Sequence, residues 1–224
     1  MRAMILAAGR GERMRPLTDR LPKPLLSVGG KPLIVHHIEK LARAGIRSIV
    51  INHAWLGDKL VSALGDGQQW GVEIRWSDES DGGLETAGGI RHALPLLGNE
   101  PFLVVNGDIW LACDYDAFVS RSLDAGQLGH LWLVDNPPQH PRGDFSLQGD
   151  RVVDLPGLTF CGVALYRPEA FAGMPEGKAP LRPCFERWMA AGQLSGSHLT
   201  CEWHDIGTPE RLAWLDAQLL QVSL

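Results

Sequence analysis

The sequence predicts an α/β fold with a mostly parallel central sheet flanked by helices, and three observations predict it. Short apolar runs alternate with segments of helical periodicity through the first half of the chain, the pattern of successive βαβ units. The first apolar run passes directly into glycines and cations, where open α/β sheets place a ligand loop. Beyond Asp108 the runs are separated by Pro and Gly clusters such as Asn136, Pro137 and Pro138, which points to added antiparallel strands forming a second wall.

Residues 3–8 read as the first strand. Ile34, Val35, Ile38, Leu41 and Ala42 recur at helical spacing, and Gly45 closes that helix. Strands at 48–52, 72–76 and 102–105 alternate with helices at 56–64 and 86–94. Strand candidates follow at 130–134, 145–147, 152–155 and 160–166. Helices at 181–191 and 209–220 close the pattern, the last with Thr208 as N-cap and Pro209 at its first position.

Composition narrows the function classes. The 224 residues fit a single domain spanning 1–224, and 45% hydrophobic with 21% charged residues is a globular balance. A net charge of −5 argues against nucleic-acid binding, so any nucleotide is expected as a small ligand. The run 3–8 is too short for a signal-peptide core, and no stretch approaches a membrane span. Cys113, Cys161, Cys184 and Cys201 lie far apart without a Cys-x-x-Cys pair. The expectation is a soluble cytoplasmic protein with free, mostly buried thiols and neither a zinc site nor a disulfide framework. No membrane and no obligate protein partner is indicated.

The first strand ends in Ala8, Gly9, Arg10, Gly11, Glu12, Arg13, Met14, Arg15, Pro16, Leu17 and Thr18, with Pro22, Lys23 and Pro24 beyond. Glycines after a strand let backbone N–H groups approach a phosphate, and cations neutralise it. A dinucleotide fingerprint wants a third glycine where Met14 stands, and a Walker loop wants Gly-Lys-Ser/Thr, which is absent. The string instead resembles the signature of the sugar nucleotidyltransferase family, G-x-G-x-R-x-x-P-x-T followed by P-K-P. Gly9, Gly11, Arg13, Pro16, Thr18, Pro22, Lys23 and Pro24 meet every defined position.

That resemblance implies a Rossmann-like, GT-A-like fold and a magnesium-dependent enzyme that joins a nucleoside triphosphate to a sugar 1-phosphate with release of pyrophosphate. It implies that Gly9, Gly11, Glu12 and Gly107 bind the nucleotide, that Arg13 holds the leaving pyrophosphate, and that Lys23 neutralises the phosphate under attack. Asn106, Gly107 and Asp108 follow the strand 102–105, and Asp205 lies in the segment Trp203, His204, Asp205, Ile206, Gly207, Thr208. Taken singly, each aspartate reads as a turn or cap residue. The family resemblance makes Asp108 and Asp205 the magnesium-holding pair, and two carboxylates suffice for an ion that completes its shell with phosphates and water. No general base is expected, because a sugar phosphate is already an anion.

Leu84, Glu85, Thr86, Ala87, Gly88 and Gly89 lie between a strand and a helix. In the family an L-G-T-A-G-type segment here contacts base and sugar, so Thr86, Ala87 and Gly88 resemble the base wall, and Glu85 replaces the commoner glycine. Asn52, Asn106, Arg142, Gly143 and Asp144 are expected on the sugar side. His53 alone reads as a satisfied histidine, and His36 and His37 cannot share a helix face, so none is assigned a metal. Residues 52–57 (NHAWLG), 84–89 (LETAGG), 106–110 (NGDIW) and 205–212 (DIGTPERL), with VDNP and RGDF between, are similar to the N-acetylmuramate 1-phosphate uridylyltransferases of bacterial peptidoglycan recycling. The implied substrates are UTP and N-acetylmuramic acid 1-phosphate, with Arg142 the candidate cation for the lactyl carboxylate. A guanylyl-, thymidylyl- or cytidylyltransferase for another sugar 1-phosphate is the runner-up, and a non-catalytic sugar-nucleotide sensor the bland alternative. No hexapeptide-repeat β-helix is read after Asp205, so no acetyltransferase activity is expected.

Overall fold

The computed structural model describes residues 1–79 and 82–222. Strand β1 (Ala3–Leu6) enters the centre of a sheet, with Ala3 and Ile5 turned to one core and Met4 to the other. Two short strands, β2 (Ser27–Val28) and β3 (Lys31–Pro32), form a hairpin before helix α1 (Leu33–Arg43). Leu33, Ile34, Val35, Ile38 and Leu41 of α1 are buried, each contributing roughly 1.5–3 kcal/mol as an upper estimate. Gly45 ends the helix as its position suggested. It sits at φ 90°, and the turn it makes lets the Ile46 amide donate to Leu41 O at 2.9 Å.

Strand β4 (Ser48–His53), helix α2 (Gly57–Leu64), strand β5 (Glu73–Asp78), helix α3 (Glu85–Leu97) and strand β6 (Phe102–Asn106) complete the parallel half. β1 pairs in parallel with both β4 and β6, and β4 with β5. The central strands alternate between two cores, Ile49, Ile51, Leu103 and Val105 facing one and Val50, Phe102 and Val104 the other. This is why they read as continuous apolar runs.

The second half adds β7 (Ile109–Leu111), α4 (Asp116–Val119), β8 (Gly129–Val134), β9 (Phe145–Gln148), β10 (Arg151–Tyr166), α5 (Glu169–Ala172), α6 (Arg182–Ala190), β11 (Leu194–His198), β12 (Trp203–Asp205) and α7 (Pro209–Val222). Among the described residues the main sheet has eight strands in the order β11-β8-β10-β6-β1-β4-β5, with β9 on β10. β10 runs antiparallel to β6 and β8, as the Pro and Gly clusters suggested.

The two strand candidates at 152–155 and 160–166 are one strand of 16 residues. Its register shifts between Val153 and Leu158 and again between Phe160 and Ala164. These irregularities take up Pro156, which cannot donate to a ladder, and Gly162 at φ 86°. Outside the sequence reading lay β11, the β2–β3 hairpin and the two-stranded ribbon of β7 with β12.

α7 is capped as expected, the Arg211 amide donating to Thr208 Oγ1 at 3.4 Å and the Leu212 amide to Thr208 O at 3.1 Å. It packs Leu212 and Leu215 with Met14, Leu26, Val28 and Trp110 into a small third core, and Asp216 accepts from the Gly29 amide at 2.8 Å. The C-terminal helix thereby clamps the chain that follows the phosphate loop. No described helix is long and apolar enough to cross a membrane. Cys161 and Cys184 are buried, but Cys113 and Cys201 are only partly so.

Candidate active site

β1 is flanked by β4 on one side and β6 on the other, so the strand order reverses at β1. Open α/β sheets bind ligands at such a reversal, beyond the carboxyl ends of the strands. A cavity of approximately 420 Å³ opens there, its wall including Gly9, Arg10, Lys23, Asn52, Glu79 and Asp108. A side chain added at Gly9 would meet nothing within 4 Å, so that backbone is open to a ligand. Gly11 is tighter. At φ 63° its added Cβ would stand 2.9 Å from Thr18 Cγ2, and Thr18 Oγ1 donates to Gly11 O at 2.8 Å, folding the loop back over Lys23. Met14, where a dinucleotide loop has glycine, is fully buried and anchors this turn in the third core.

Lys23 is 8% exposed and held between Pro22 and Pro24, and its ammonium donates to Asp108 Oδ2 at 2.7 Å. Asp108 stands beyond β6 because Gly107 lets the chain turn against β1. The Gly107 amide donates to Leu6 O at 2.9 Å, and a methyl at Gly107 would come within 2.7 Å of that oxygen.

The β7–β12 ribbon brings in the second aspartate. Asp205 lies opposite Ile109, and the Ile206 amide donates to Asp108 O at 3.0 Å. Trp203 Nε1 donates to Cys161 O at 2.8 Å, pinning β12 to the irregular part of β10. Behind the ribbon, His37 contacts Ile109 O through Nε2 at 2.9 Å and the Tyr115 hydroxyl through Nδ1 at 2.7 Å. Burial lowers the His37 pKa to about 3, so the ring is neutral, Nε2–H donating to the carbonyl and Nδ1 accepting from the hydroxyl.

Both aspartates line a smaller recess of approximately 220 Å³ with Asn106 and Trp203. It shares Asn106 and Asp108 with the first cavity, and Pro137, Trp203 and Asp205 with a third space of approximately 720 Å³ that Pro138 and Trp214 also line. Asp205 Oδ2 accepts from Arg211 at 2.6 Å, so each aspartate keeps Oδ1 free of protein partners among the described residues. No group of three or more His, Cys, Asp or Glu side chains that could hold a metal is gathered among them. Two carboxylates beside a phosphate cavity suit a hard cation that shares its shell with phosphate oxygens, and do not suit a zinc cage.

The profile of the nucleotidyl transferase family matches residues 2–145. The chain belongs to the nucleotidyl transferase family. It is 55% identical over 220 residues to the N-acetylmuramate alpha-1-phosphate uridylyltransferase of Neisseria meningitidis, covering 95% of each chain. It is 34% identical to the Caulobacter vibrioides protein of the same name, covering 98% of this chain and 97% of that one. A Bacillus anthracis structure described as a glucose-1-phosphate thymidylyltransferase superposes with a TM-score of 0.87 at 24% identity, over 98% of this chain and 96% of that one, which establishes the same fold.

In this nucleotidyl transferase Gly9, Lys23, Asn52, Glu85, Thr86, Asn106 and Asp108 stand at the first cavity, while Asp205 lines the recess beside it. Arg13 and Glu12 are exposed and are not on the cavity wall, where Arg10 stands with its guanidinium 5.8 Å from the Trp55 ring centre.

Ala87 and Gly88 are buried away from the cavity. Their amides donate to Ala179 O at 3.0 and 3.1 Å, and a methyl on Gly88 would stand 2.3 Å from Gly177 O. Their smallness therefore serves packing against the loop before α6, and that loop holds Lys178 at the cavity wall. Glu85 sits at φ 58°, a conformation that suits glycine, which gives a physical reason for the glycine commoner at this place.

Arg142, Gly143 and Asp144 line a separate cavity with Asp154 and Arg182. Asp144 is committed to structure, accepting from the Phe160 amide at 2.8 Å and contacting His140 at 3.0 Å. This departs from the expected sugar-side loop, because the loop turns towards β10.

The sequence reading also missed Glu79. It is 4% exposed, accepts from Asn52 Nδ2 at 2.7 Å and from the Leu84 amide at 2.9 Å, while Asn52 Oδ1 accepts from the Ala7 amide at 2.8 Å. One buried chain of hydrogen bonds thus joins the phosphate loop to the Gly82–Leu84 turn. The signal available in the sequence was a lone carboxylate just beyond a strand.

Proposed function

We propose that the protein transfers the uridylyl group of UTP to N-acetylmuramic acid 1-phosphate, giving UDP-N-acetylmuramic acid and pyrophosphate, as one cytoplasmic catalytic domain in cell-wall recycling. The observation that carries the reaction class is the convergence of Lys23, Asp108 and Asp205 beyond β1 and β6. The 55% identity across 95% of both chains supports the choice of substrates.

The triphosphate lies along the Gly9–Gly11 backbone with Arg10 and Lys23 neutralising its charge, and Arg13 reaches the leaving pyrophosphate from outside the cavity. Thr86 and the turn before α3 border the base. Asn106 and Glu85 border the sugar, Gly107 holds the turn that presents Asp108, and the sugar's phosphate attacks the α-phosphorus through an oxygen already ionised at neutral pH. The bond to the bridging oxygen breaks and pyrophosphate leaves with the electron pair. Asp108 and Asp205, which line one recess, are the residues that would hold magnesium. When bound there, the ion supplies Lewis-acid polarisation and charge neutralisation. Lys23 then moves its donor from Asp108 to phosphate, so the residues act by positioning and charge rather than by proton transfer.

A pyrophosphate-release assay crossing four nucleoside triphosphates with the 1-phosphates of N-acetylmuramic acid, N-acetylglucosamine, mannose and heptose tests this. The expected result is a preference for UTP with N-acetylmuramic acid 1-phosphate. A preference for GTP with mannose or heptose 1-phosphate overturns the substrate assignment, and no release with any pair overturns the reaction.

A further inference from the structure

Cys113 and Cys201 are 88 positions apart, and their sulfurs stand 2.7 Å from one another. The ribbon register explains the approach. Leu111 pairs with Trp203 and Ile109 with Asp205, while the Ala112 amide donates to Glu202 O at 2.9 Å and the Ile206 amide to Asp108 O at 3.0 Å. One further step along the ladder sets Cys113 opposite Cys201 at a non-hydrogen-bonded position, where antiparallel Cα atoms approach to about 4.5 Å. That separation lies within the roughly 4.4–6.8 Å that a disulfide spans.

Both thiols are free and partly exposed, whereas Cys161 and Cys184 are buried. Cys201 lines the approximately 720 Å³ cavity and is reached from it. The backbone beneath Cys113 is fixed, because the Lys40 ammonium donates to Cys113 O at 2.9 Å and also to Leu111 O. Burial, aided by the hydrogen bond with Cys201, pushes the Cys113 thiol up to about 12, so it enters the chemistry second.

We propose that Cys113 and Cys201 form a reversible disulfide, a redox modification site on the ribbon that presents Asp205. The oxidant is a small-molecule disulfide of the glutathione type. The Cys201 thiolate attacks one of its sulfurs and expels one thiolate. The Cys113 sulfur then attacks Sγ of Cys201 in the mixed disulfide and expels the second, and the two protons lost by the protein pass to the released thiolates. The protein loses two electrons, and the small disulfide is reduced to two thiols. Cys201, Trp203 and Asp205 alternate onto one ribbon face, so the crosslink secures the strand that carries the carboxylate.

Equilibration of the full chain in glutathione buffers of increasing oxidising strength tests this by intact mass, alkylation and peptide mapping. The expected product has lost the mass of two hydrogens, keeps two of its four thiols alkylable, yields a Cys113–Cys201 peptide, and reverts with dithiothreitol. The Cys201→Ser variant should keep its three remaining thiols under the same conditions. Four alkylable thiols at the oxidising limit, or a stable glutathione adduct on Cys201 with Cys113 still free, overturns the proposal.

Discussion

The ammonium of Lys23 meets Asp108 Oδ2 at 2.7 Å although 85 positions separate them. With only 9% of the Lys23 side chain exposed, the phosphate-loop cation and the carboxylate beyond β6 form one unit. Asp108→Asn, Asp205→Asn and Lys23→Ala are each expected to lower turnover by roughly a hundredfold or more, the scale of losing one electrostatic contact in a transition state. Circular dichroism and unfolding should stay close to the parent's for the aspartate variants. Near-normal turnover of either at saturating magnesium contradicts the assignment of that residue.

Asn52 has a different consequence. Its amide satisfies both the Ala7 N–H and the Glu79 carboxylate. Asn52→Ala leaves the Ala7 N–H without a partner and strips one of the two donors from the buried Glu79 carboxylate, and should cost about 1–3 kcal/mol in urea unfolding, with the KM for the triphosphate rising because the phosphate loop loses its tether. Unchanged stability contradicts the buried network.

Stability should also fall in mild acid. Burial lowers His37 to about 3 and His130 to about 4. The unfolded chain binds these protons near the ordinary value of 6.5, so the stabilisation is complete above that pH and is lost as pH falls through the window below it. With both histidines buried, unfolding free energy should be about 2–3 kcal/mol lower at pH 5.5 than at 7.5. His37→Gln should remove about half of that difference. A flat profile between these pH values contradicts the buried neutral histidines.

Arg142 and Lys178 separate sequence position from placement. Arg142 is exposed beside a different cavity, and Arg142→Ala should change the sugar-phosphate KM by less than about threefold. Lys178 stands on the phosphate-cavity wall, and Lys178→Met should raise a substrate KM by about tenfold. Steady-state kinetics with each substrate varied in turn checks both, and the reverse ranking contradicts the placement.

The parallel half of the fold was legible because β1, β4 and β6 are buried on both faces and spell uninterrupted apolar runs. β7 and β12 were not, since strands of three residues carry no period, and their pairing depends on partners far along the chain. β10 read as two strands because Pro156 and Gly157 look like a break until its register shifts absorb them. In the site, Gly9, Gly11, Lys23 and Asp108 were singled out through a family signature rather than by local pattern alone, and the folded chain brings Gly9, Lys23 and Asp108 to one cavity. Glu79, Arg10 and Arg211 owe their positions to contacts that form only in the folded chain, and the small size of Ala87 and Gly88 turned out to serve a neighbouring loop.

Phosphorus NMR of the protein with UTP, magnesium and N-acetylmuramic acid 1-phosphate follows the uridylyl transfer itself. One pyrophosphate and one new sugar-linked diphosphate should appear for each UTP consumed, and both should build up roughly a hundredfold or more slowly with the Asp108→Asn protein. Consumption of UTP without a new diphosphate, or diphosphate formation only when GTP and mannose 1-phosphate are supplied, contradicts it.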